Sequence, residues 1–369
     1  MKIGVYAGSL RPGGGLTVLI QILECMSSRG TNQVVVYTGT NDTSIELQSL
    51  IDRSDNISEK KFFHNYCTPV RYFFSKIYFL FLSKKSRPDV LFSINYFMMA
   101  FCPLVVYHLN LLNFQHLKYI DISTKIKQLD AILACRLASL NLFESKYLFE
   151  QAKKASHGKI SNSKVLYIGI SPEFSKATPP PFLTGQKEIT KNSNLIMVSS
   201  IQPHKENEIG LQTLRLLKKE MPNDNWSLTI VGGQSIAQWD DLKKKAISLG
   251  IEGDVNFLGP ISKKKLSLIL AESLCLINPS RIESFCMVAV EAMSSNCPSI
   301  VVNSTSMPES VGDAAVIVEP GNPKLFKEEV MKFYNDSTYR DGYIKKGKEQ
   351  AQKYSESKFC SCLYTYLND

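Results

Sequence analysis

Short apolar runs alternate with stretches of helical periodicity along most of the chain. Lys2–Tyr6 reads as a strand. Leu19, Ile22, Leu23 and Met26 follow at i, i+3, i+4 and i+7, which predicts an amphipathic helix over Leu16–Ser28. Between the two, Gly8–Gly15 reads as a flexible glycine-rich loop. Val34–Tyr37 is the next strand, so the chain opens as a βαβ unit. Val90–Ser93 and Leu104–Tyr107 continue the series. Aromatic-rich Val70–Leu82, set among Arg71, Lys76, Lys84 and Lys85, reads as a helix buried against the sheet, with contact to a membrane surface the alternative. The rhythm breaks after Phe174, where residues 175–193 hold three consecutive prolines and polar residues without periodicity, a linker composition. It restarts with strands at Leu195–Ser199, Leu228–Val231, Val255–Leu258, Leu274–Ile277, Ser299–Val302 and Ala315–Val318. Helical patterns cover Ile209–Glu220, Ser262–Glu272 and Met287–Ser295.

Short apolar strands alternating with helices argue for parallel sheets buried on both faces. The expected fold class is therefore α/β, with two Rossmann-like domains, 1–174 and 194–350, facing across a cleft. Length agrees, since 369 residues exceed what one core usually holds. At 44% hydrophobic and 21% charged the chain is not disordered. Within Val70–Leu82 the longest apolar run, Ile77–Leu82, is far too short to span a bilayer. Met1-Lys2 leads straight into a strand with no signal-peptide anatomy, and the nine cysteines contain no C-x-x-C pair. Both features predict a cytoplasmic protein with reduced thiols.

The net charge of +9 is unevenly spread. Residues 1–180 hold 21 Lys+Arg against 12 Asp+Glu, while residues 181–369 hold 22 of each. A one-sided basic excess points to an anionic partner for the first half, such as a phospholipid surface or a phosphate-bearing substrate. Nucleic acid is disfavoured, because the basic residues are dispersed among apolar helices and no nucleic-acid motif occurs.

The most informative stretch is Asn278–Met293, N-P-S-R-I-E-S-F-C-M-V-A-V-E-A-M. Glu283 and Glu291 stand eight apart, a spacing that 20 glutamates produce about once by chance. Placement adds weight: a strand, a loop carrying Glu283, then a helix carrying Glu291. In a parallel sheet the carboxyl ends of strands and the amino ends of helices line the ligand crevice, so backbone N–H groups near Phe285–Val288 face an anion there. No D-x-D occurs to hold a divalent metal against a diphosphate, and Gly8–Gly15 lacks G-x-G-x-x-G, which disfavours a nicotinamide enzyme.

This stretch resembles glycosyltransferase family 4, whose pattern reads PS-x-x-E-G-F-G-x-x-x-x-E-A-M. The resemblance extends to Val255–Ile261, to Met307–Gly312, to Val198–Lys205 (the family's G-R-x-x-x-x-K), to Tyr167–Ile170 with Phe174, and to the glycines Gly13–Gly15. The family's arginine falls on Ser200, and its two loop glycines fall on Ser284 and Cys286. The resemblance implies the GT-B fold. It also implies retaining transfer of a sugar from a nucleotide-sugar, a UDP- or GDP-sugar, to a glycan or polyprenyl-linked acceptor. Neither cofactor nor metal is expected. The tail Tyr354–Tyr366 resembles the family's last helix, so 351–369 is expected to cross back to the first domain.

The resemblance also assigns roles. Glu283 contacts donor-sugar hydroxyls and stabilises positive charge at the anomeric carbon, and Glu291 accepts hydrogen bonds from the ribose hydroxyls. Lys205 meets the leaving diphosphate. His108 sits by the donor and acceptor hydroxyls as the second catalytic candidate, with Asn110 its rival. Gly13, Gly14, Gly15, Ser200, Gly259, Ile261, Ser284, Phe285, Cys286, Met287 and Val288 complete the expected donor site. Peripheral docking at the inner face of an anionic membrane is the expected location, in bacterial surface-polysaccharide (lipopolysaccharide or capsule) assembly by family analogy. The rival reading is a catalytically impaired homologue serving as a binding or scaffold subunit.

Overall fold

A computed structural model describes residues 1–7, 14–28, 32–39, 45–62, 76–77, 79–81, 84–85, 87–115, 122–176, 193–232 and 236–368. The first sheet contains β1 (Lys2–Tyr6), β2 (Gln33–Gly39), β3 (Ile57–Phe62), β4 (Val90–Ile94), β5 (Leu104–His108), β6 (Leu140–Phe143) and β7 (Ser163–Val165). Its helices are α1 (Gly14–Ser28), α2 (Ile45–Asp52), α3 (Ile122–Leu137) and α4 (Lys146–Ala155). All pairings are parallel in the order β3-β2-β1-β4-β5-β6-β7, so the winding reverses at β1. β4 and β5 are buried at every residue, as strands covered on both faces must be.

After the short helix α5 (Pro172–Ser175) comes a second sheet: β8 (Asn194–Val198), β9 (Ser227–Val231), β10 (Val255–Leu258), β11 (Cys275–Asn278), β12 (Ser299–Val302) and β13 (Val316–Val318). Its order is β10-β9-β8-β11-β12-β13, again all parallel, with the reversal at β8. Helices α6 (Asn207–Glu220), α7 (Ile236–Leu249), α8 (Lys263–Ala271), α9 (Met287–Ser294) and α10 (Met307–Val311) link these strands. The chain ends in α11 (Pro323–Asn335), α12 (Ser337–Gln352) and α13 (Glu356–Asn368).

The two units are Met1–Ile168 with Phe359–Asp369, and Gly169–Lys358. This corrects the expected boundary after Phe174. The Ile170 N–H donates to the Tyr354 carbonyl at 2.7 Å, and the fully buried Phe174 accepts from Ser295 Oγ at 3.2 Å. Residues 169–174 therefore pack with the second unit, and so do 351–358 of the expected tail; the chain returns to the first unit at Phe359.

Two further expectations change. α1 begins at Gly14, so Gly14 and Gly15 are helical rather than loop residues, and Gly13 lies outside the described residues. Most of the linker, 177–192, also lies outside them. Of Val70–Leu82, positions 76–77 and 79–81 are described. Phe79 is buried edge-on to Tyr6 and Tyr37, with ring centroids at 5.4 and 4.8 Å, whereas Phe81 faces solvent.

The expectation of reduced thiols fails at one pair. Cys25 on α1 and Cys360 on α13, 335 positions apart, form a disulfide with Cα atoms at 5.4 Å. The same contact is tied by Tyr364, whose hydroxyl donates to the Cys25 carbonyl at 2.5 Å. No local spacing motif announces a pairing across the whole sequence. Removing the bond by Cys360→Ser should lower the unfolding free energy by about 2–4 kcal/mol. Denatured protein should also show two more reactive thiols after reduction than before; equal counts would contradict the pairing.

Candidate active site

β8 and β11 are parallel neighbours, with Leu195 facing Cys275 and Ile196 facing Leu276, so the loops leaving their carboxyl ends emerge side by side. The β8 loop is pinned by Asn207 at the start of α6. Its Oδ1 accepts from Ser199 Oγ at 2.6 Å and its Nδ2 donates to the Ser200 carbonyl at 3.2 Å. At the end of β9, Gly232 has φ +113° and a Cβ there would stand 2.4 Å from the Ser199 carbonyl oxygen, so only glycine lets the strand ends approach. The loop then makes a single 3₁₀ turn, Pro203–Lys205, and enters α6 through Glu206 in the left-handed region at φ 47°. Its outer side borders a cavity of about 550 Å³ lined by Ile201, Gln202, Pro203, Asn207 and Gln212 among others.

The β11 loop is held from the other side. Asn278 Oδ1 accepts from the Ser280 N–H at 3.1 Å. The Glu283 N–H donates to Thr305 Oγ1 at 3.0 Å, Ser306 Oγ donates to the Glu283 carbonyl at 2.9 Å, and Ser310 Oγ donates to the Phe285 carbonyl. Thr305 and Ser306 of the β12–α10 loop thus fix the Glu283 backbone, and Ser310 on α10 fixes Phe285. The two loops meet in an ion pair, Lys205 Nζ to Glu283 Oε1 at 2.8 Å, each side chain 16% exposed. The Arg281 N–H donates to the His204 carbonyl at 2.8 Å, and the Arg281 guanidinium pairs with the Glu206 carboxylate. Burial and the Lys205 charge hold the His204 imidazole below its ordinary pKa.

Glu291 lies one turn into α9 and is 7% exposed. Burial pushes its carboxyl up to about 8, and the charge of Lys263 at the start of α8 pulls the other way. No hydrogen bond reaches this carboxyl among the described residues. A nearly buried acid without a donor suits a ligand that brings its own hydroxyls. The β10–α8 loop carries Gly259, beside which a side chain would meet open space, and half-buried Ile261. Phe285 and Cys286 are buried, and Ser284, Met287 and Val288 are half-buried at the start of α9. Cys286 occupies the left-handed region at φ 61°, where glycine would sit without strain. Its thiol accepts from Asn278 Nδ2 at 3.2 Å, and burial raises its pKa.

The expected residues of the carboxy-terminal half thus fall in one unit. His108, Gly14 and Gly15 belong to the other unit. Within it His108 has no exposed surface: Nε2 bonds to Asn141 Oδ1 at 2.8 Å, and the ring stacks on Phe143 at 4.7 Å. Burial lowers its pKa to about 4, so it is neutral at pH 7. A ring enclosed in this way cannot touch a substrate as it stands, which corrects its assignment as a catalytic residue. Asn110 instead caps the 3₁₀ turn Leu111–Phe114 by accepting from the Leu112 N–H at 3.0 Å. Sequence reasoning missed Asn207, Arg281, Thr305 and Ser306, which position the two loops. The Ser304-Thr305-Ser306 cluster was the available signal for the last two.

Residues 184–350 match the family described as glycosyl transferases group 1. That match takes in most of the carboxy-terminal unit, Gly169–Lys358. Relatives include the O-antigen chain mannosyltransferase B of Escherichia coli, 27% identical over 43% of this chain and 42% of that protein. The Alpha-1,3/1,6-mannosyltransferase ALG2 of Mus musculus is 25% identical over 64% of this chain and 59% of its own length. The chain therefore spans about half the length of these relatives. A crystal structure of Anabaena Alr3699/HepE in complex with UDP and glucose superposes with a TM-score of 0.78 at 18% identity, covering 100% of this chain and 99% of that one. The two-unit architecture is accordingly the GT-B fold.

Within the carboxy-terminal unit, Glu291 sets a pH dependence. Between its unfolded pKa near 4.5 and its folded pKa of about 8, the folded state keeps a proton that the unfolded state has lost. Folding is therefore progressively penalised as pH rises through that window. Glu291→Gln should match the wild type in stability at pH 4 and exceed it by on the order of 3 kcal/mol at pH 9. Denaturant titrations at both pH values check this, and a difference that ignores pH would contradict the burial of the charge.

Proposed function

We propose that the chain is a retaining, metal-independent glycosyltransferase. It moves a sugar from a UDP- or GDP-sugar to a hydroxyl of a glycan or polyprenyl-linked acceptor. The observation that carries this reading is the Lys205–Glu283 ion pair, with the donor-poor Glu291 carboxyl in the same unit, the unit that matches the group 1 glycosyl transferases. Glu291 takes the ribose hydroxyls, and the proton it holds when empty is released to the medium as the ligand's O–H groups replace it. Lys205 turns from Glu283 to the diphosphate, where negative charge builds as the glycosidic bond breaks. Glu283 is then free to face the donor sugar and the positive charge at its anomeric carbon. The acceptor hydroxyl enters on the face the diphosphate leaves, and the chain contributes positioning and leaving-group stabilisation rather than a nucleophile. A fixed cation at the diphosphate and the absence of D-x-D support transfer without a metal.

The amino-terminal unit takes the acceptor, and its basic surplus supports a site of action on an anionic membrane face, in surface-polysaccharide assembly. No helix among the described residues is long and apolar enough to cross a membrane. The UDP and glucose bound by the Anabaena neighbour favour a UDP-sugar as the first donor to try. The strained Cys286 at a family glycine keeps a second reading in view, a homologue that binds donor without transferring it.

Calorimetry and product analysis with a panel of UDP- and GDP-sugars separate the readings. One donor should bind and be turned over, with activity surviving EDTA. Glu291→Ala should weaken that donor by about 2–3 kcal/mol, and Lys205→Ala should lower turnover far more than thermal stability. Binding without transfer or hydrolysis would favour the scaffold, absence of binding would refute both readings, and activity restored by Mn²⁺ after chelation would refute the metal-free mechanism.

A further inference from the structure

Helix α3 is built inside out. Its inward face consists of small residues, Ala131, Ala134 and Cys135, together with Asp130. Its large aliphatic residues face solvent: Ile122 is 74% exposed, Leu129 68%, Leu133 40% and Leu137 59%. These positions, spaced seven, four and four apart, run as one line along a helix about 24 Å long, with half-buried Ile126 in the gap. An ordinary surface helix turns this stripe toward the core. Here the core is served by small residues, and the apolar stripe stays largely exposed among the described residues.

The stripe does not stand alone. Buried Asp130 pairs with Lys76 and accepts from the Phe97 N–H at 2.9 Å, which ties α3 to the stretch ahead of β5. That stretch exposes Met99 and Phe101, the latter 67% exposed, and Lys84 Nζ lies 5.7 Å from the Phe101 ring centroid. Phe81 is likewise exposed. Exposed apolar surface of this kind marks an interaction site rather than ordinary scatter.

Charge decides between occupants. Residues 76–137 carry eight Lys and Arg against three Asp, and one of those Asp is the buried partner of Lys76. Lys125 and Lys127 stand exposed on α3 itself. Self-association through such a face would set like charges against one another, because a two-fold contact opposes the patch to its own copy. An anionic bilayer satisfies both properties at once, taking the aliphatic line into its interfacial region and the lysines at its headgroups. We propose that α3, with the adjoining Phe81, Met99 and Phe101, is the surface by which the amino-terminal unit docks on an anionic lipid bilayer, the helix lying in the membrane plane. The inference rests on the membrane-face part of the proposed function and names the element that performs it.

The test is co-sedimentation of the full chain with phosphatidylglycerol-containing vesicles and with pure phosphatidylcholine vesicles. The wild type should pellet with the anionic vesicles, and far less with the neutral ones. The double variant Leu129→Ser/Leu133→Ser should lose about tenfold or more in partitioning, with unchanged melting because both side chains are exposed. Lys125→Glu/Lys127→Glu should lose binding in the same way at low salt. A Leu133→Trp variant should show a blue shift in fluorescence when anionic vesicles are added. Undiminished binding of the Leu129→Ser/Leu133→Ser variant would overturn the proposal. So would equal binding to neutral vesicles, or a dimer in sedimentation that this variant disperses. Donor binding measured on the same preparations keeps the two ideas apart: a wild type that docks but binds no nucleotide-sugar refutes the enzymatic reading alone. One that binds donor but ignores vesicles refutes this docking alone.

Discussion

The Lys205–Glu283 ion pair is the contact on which the rest of the candidate site depends. It exists because β8 and β11 are adjacent parallel strands whose loops leave the same sheet edge. Strand order brings the loops together, and a second layer of hydrogen bonds from Asn207, Thr305 and Ser306 holds each in place. Half-buried pairs of this kind add little net stability, since desolvation offsets most of the attraction. Their value lies in geometry. The pair holds a cation and a carboxylate in register, and both are available to a ligand that offers better partners.

The two glutamates of the E-x7-E spacing meet opposite environments. Glu283 pairs with the Lys205 ammonium at 2.8 Å. Glu291 lies where burial outweighs the pull of Lys263, which favours the protonated form. In the proposed function these two carboxyls, eight positions apart, do different work, one facing charge at the reacting centre and one taking neutral hydroxyls. Sequence spacing alone does not distinguish them; their depth in the fold does.

What was legible in the sequence follows the same logic. β1, β8, β11 and α9 were readable because buried parallel strands are largely apolar runs and the motif around Glu283 is dense. β3 was missed because Ile57–Phe62 reads I-S-E-K-K-F, an edge strand with charges where a central strand would be apolar. The Cys25–Cys360 bond and the Arg281–Glu206 pair escaped because they join residues far apart in the chain, and spacing carries no trace of such contacts. His108 was misassigned for a different reason: its position at the end of β5 suggested a ligand, but Asn141 and Phe143 on β6 enclose it. α3 shows the limit of periodicity as a guide, since a stripe of aliphatic residues looks the same whether it faces a core or a bilayer.

If Glu283 holds Lys205 away from the diphosphate in the empty site, the charge on Glu283 must oppose nucleotide binding in the absence of a sugar. Calorimetric titration of UDP, or GDP if that is the accepted donor nucleotide, into the wild type, Glu283→Gln and Lys205→Ala tests this directly. The account predicts tighter nucleoside diphosphate binding for Glu283→Gln, by about tenfold for the release of one half-buried pair, and weaker binding for Lys205→Ala. Equal or weaker binding by Glu283→Gln, or indifference to the loss of Lys205, would contradict it.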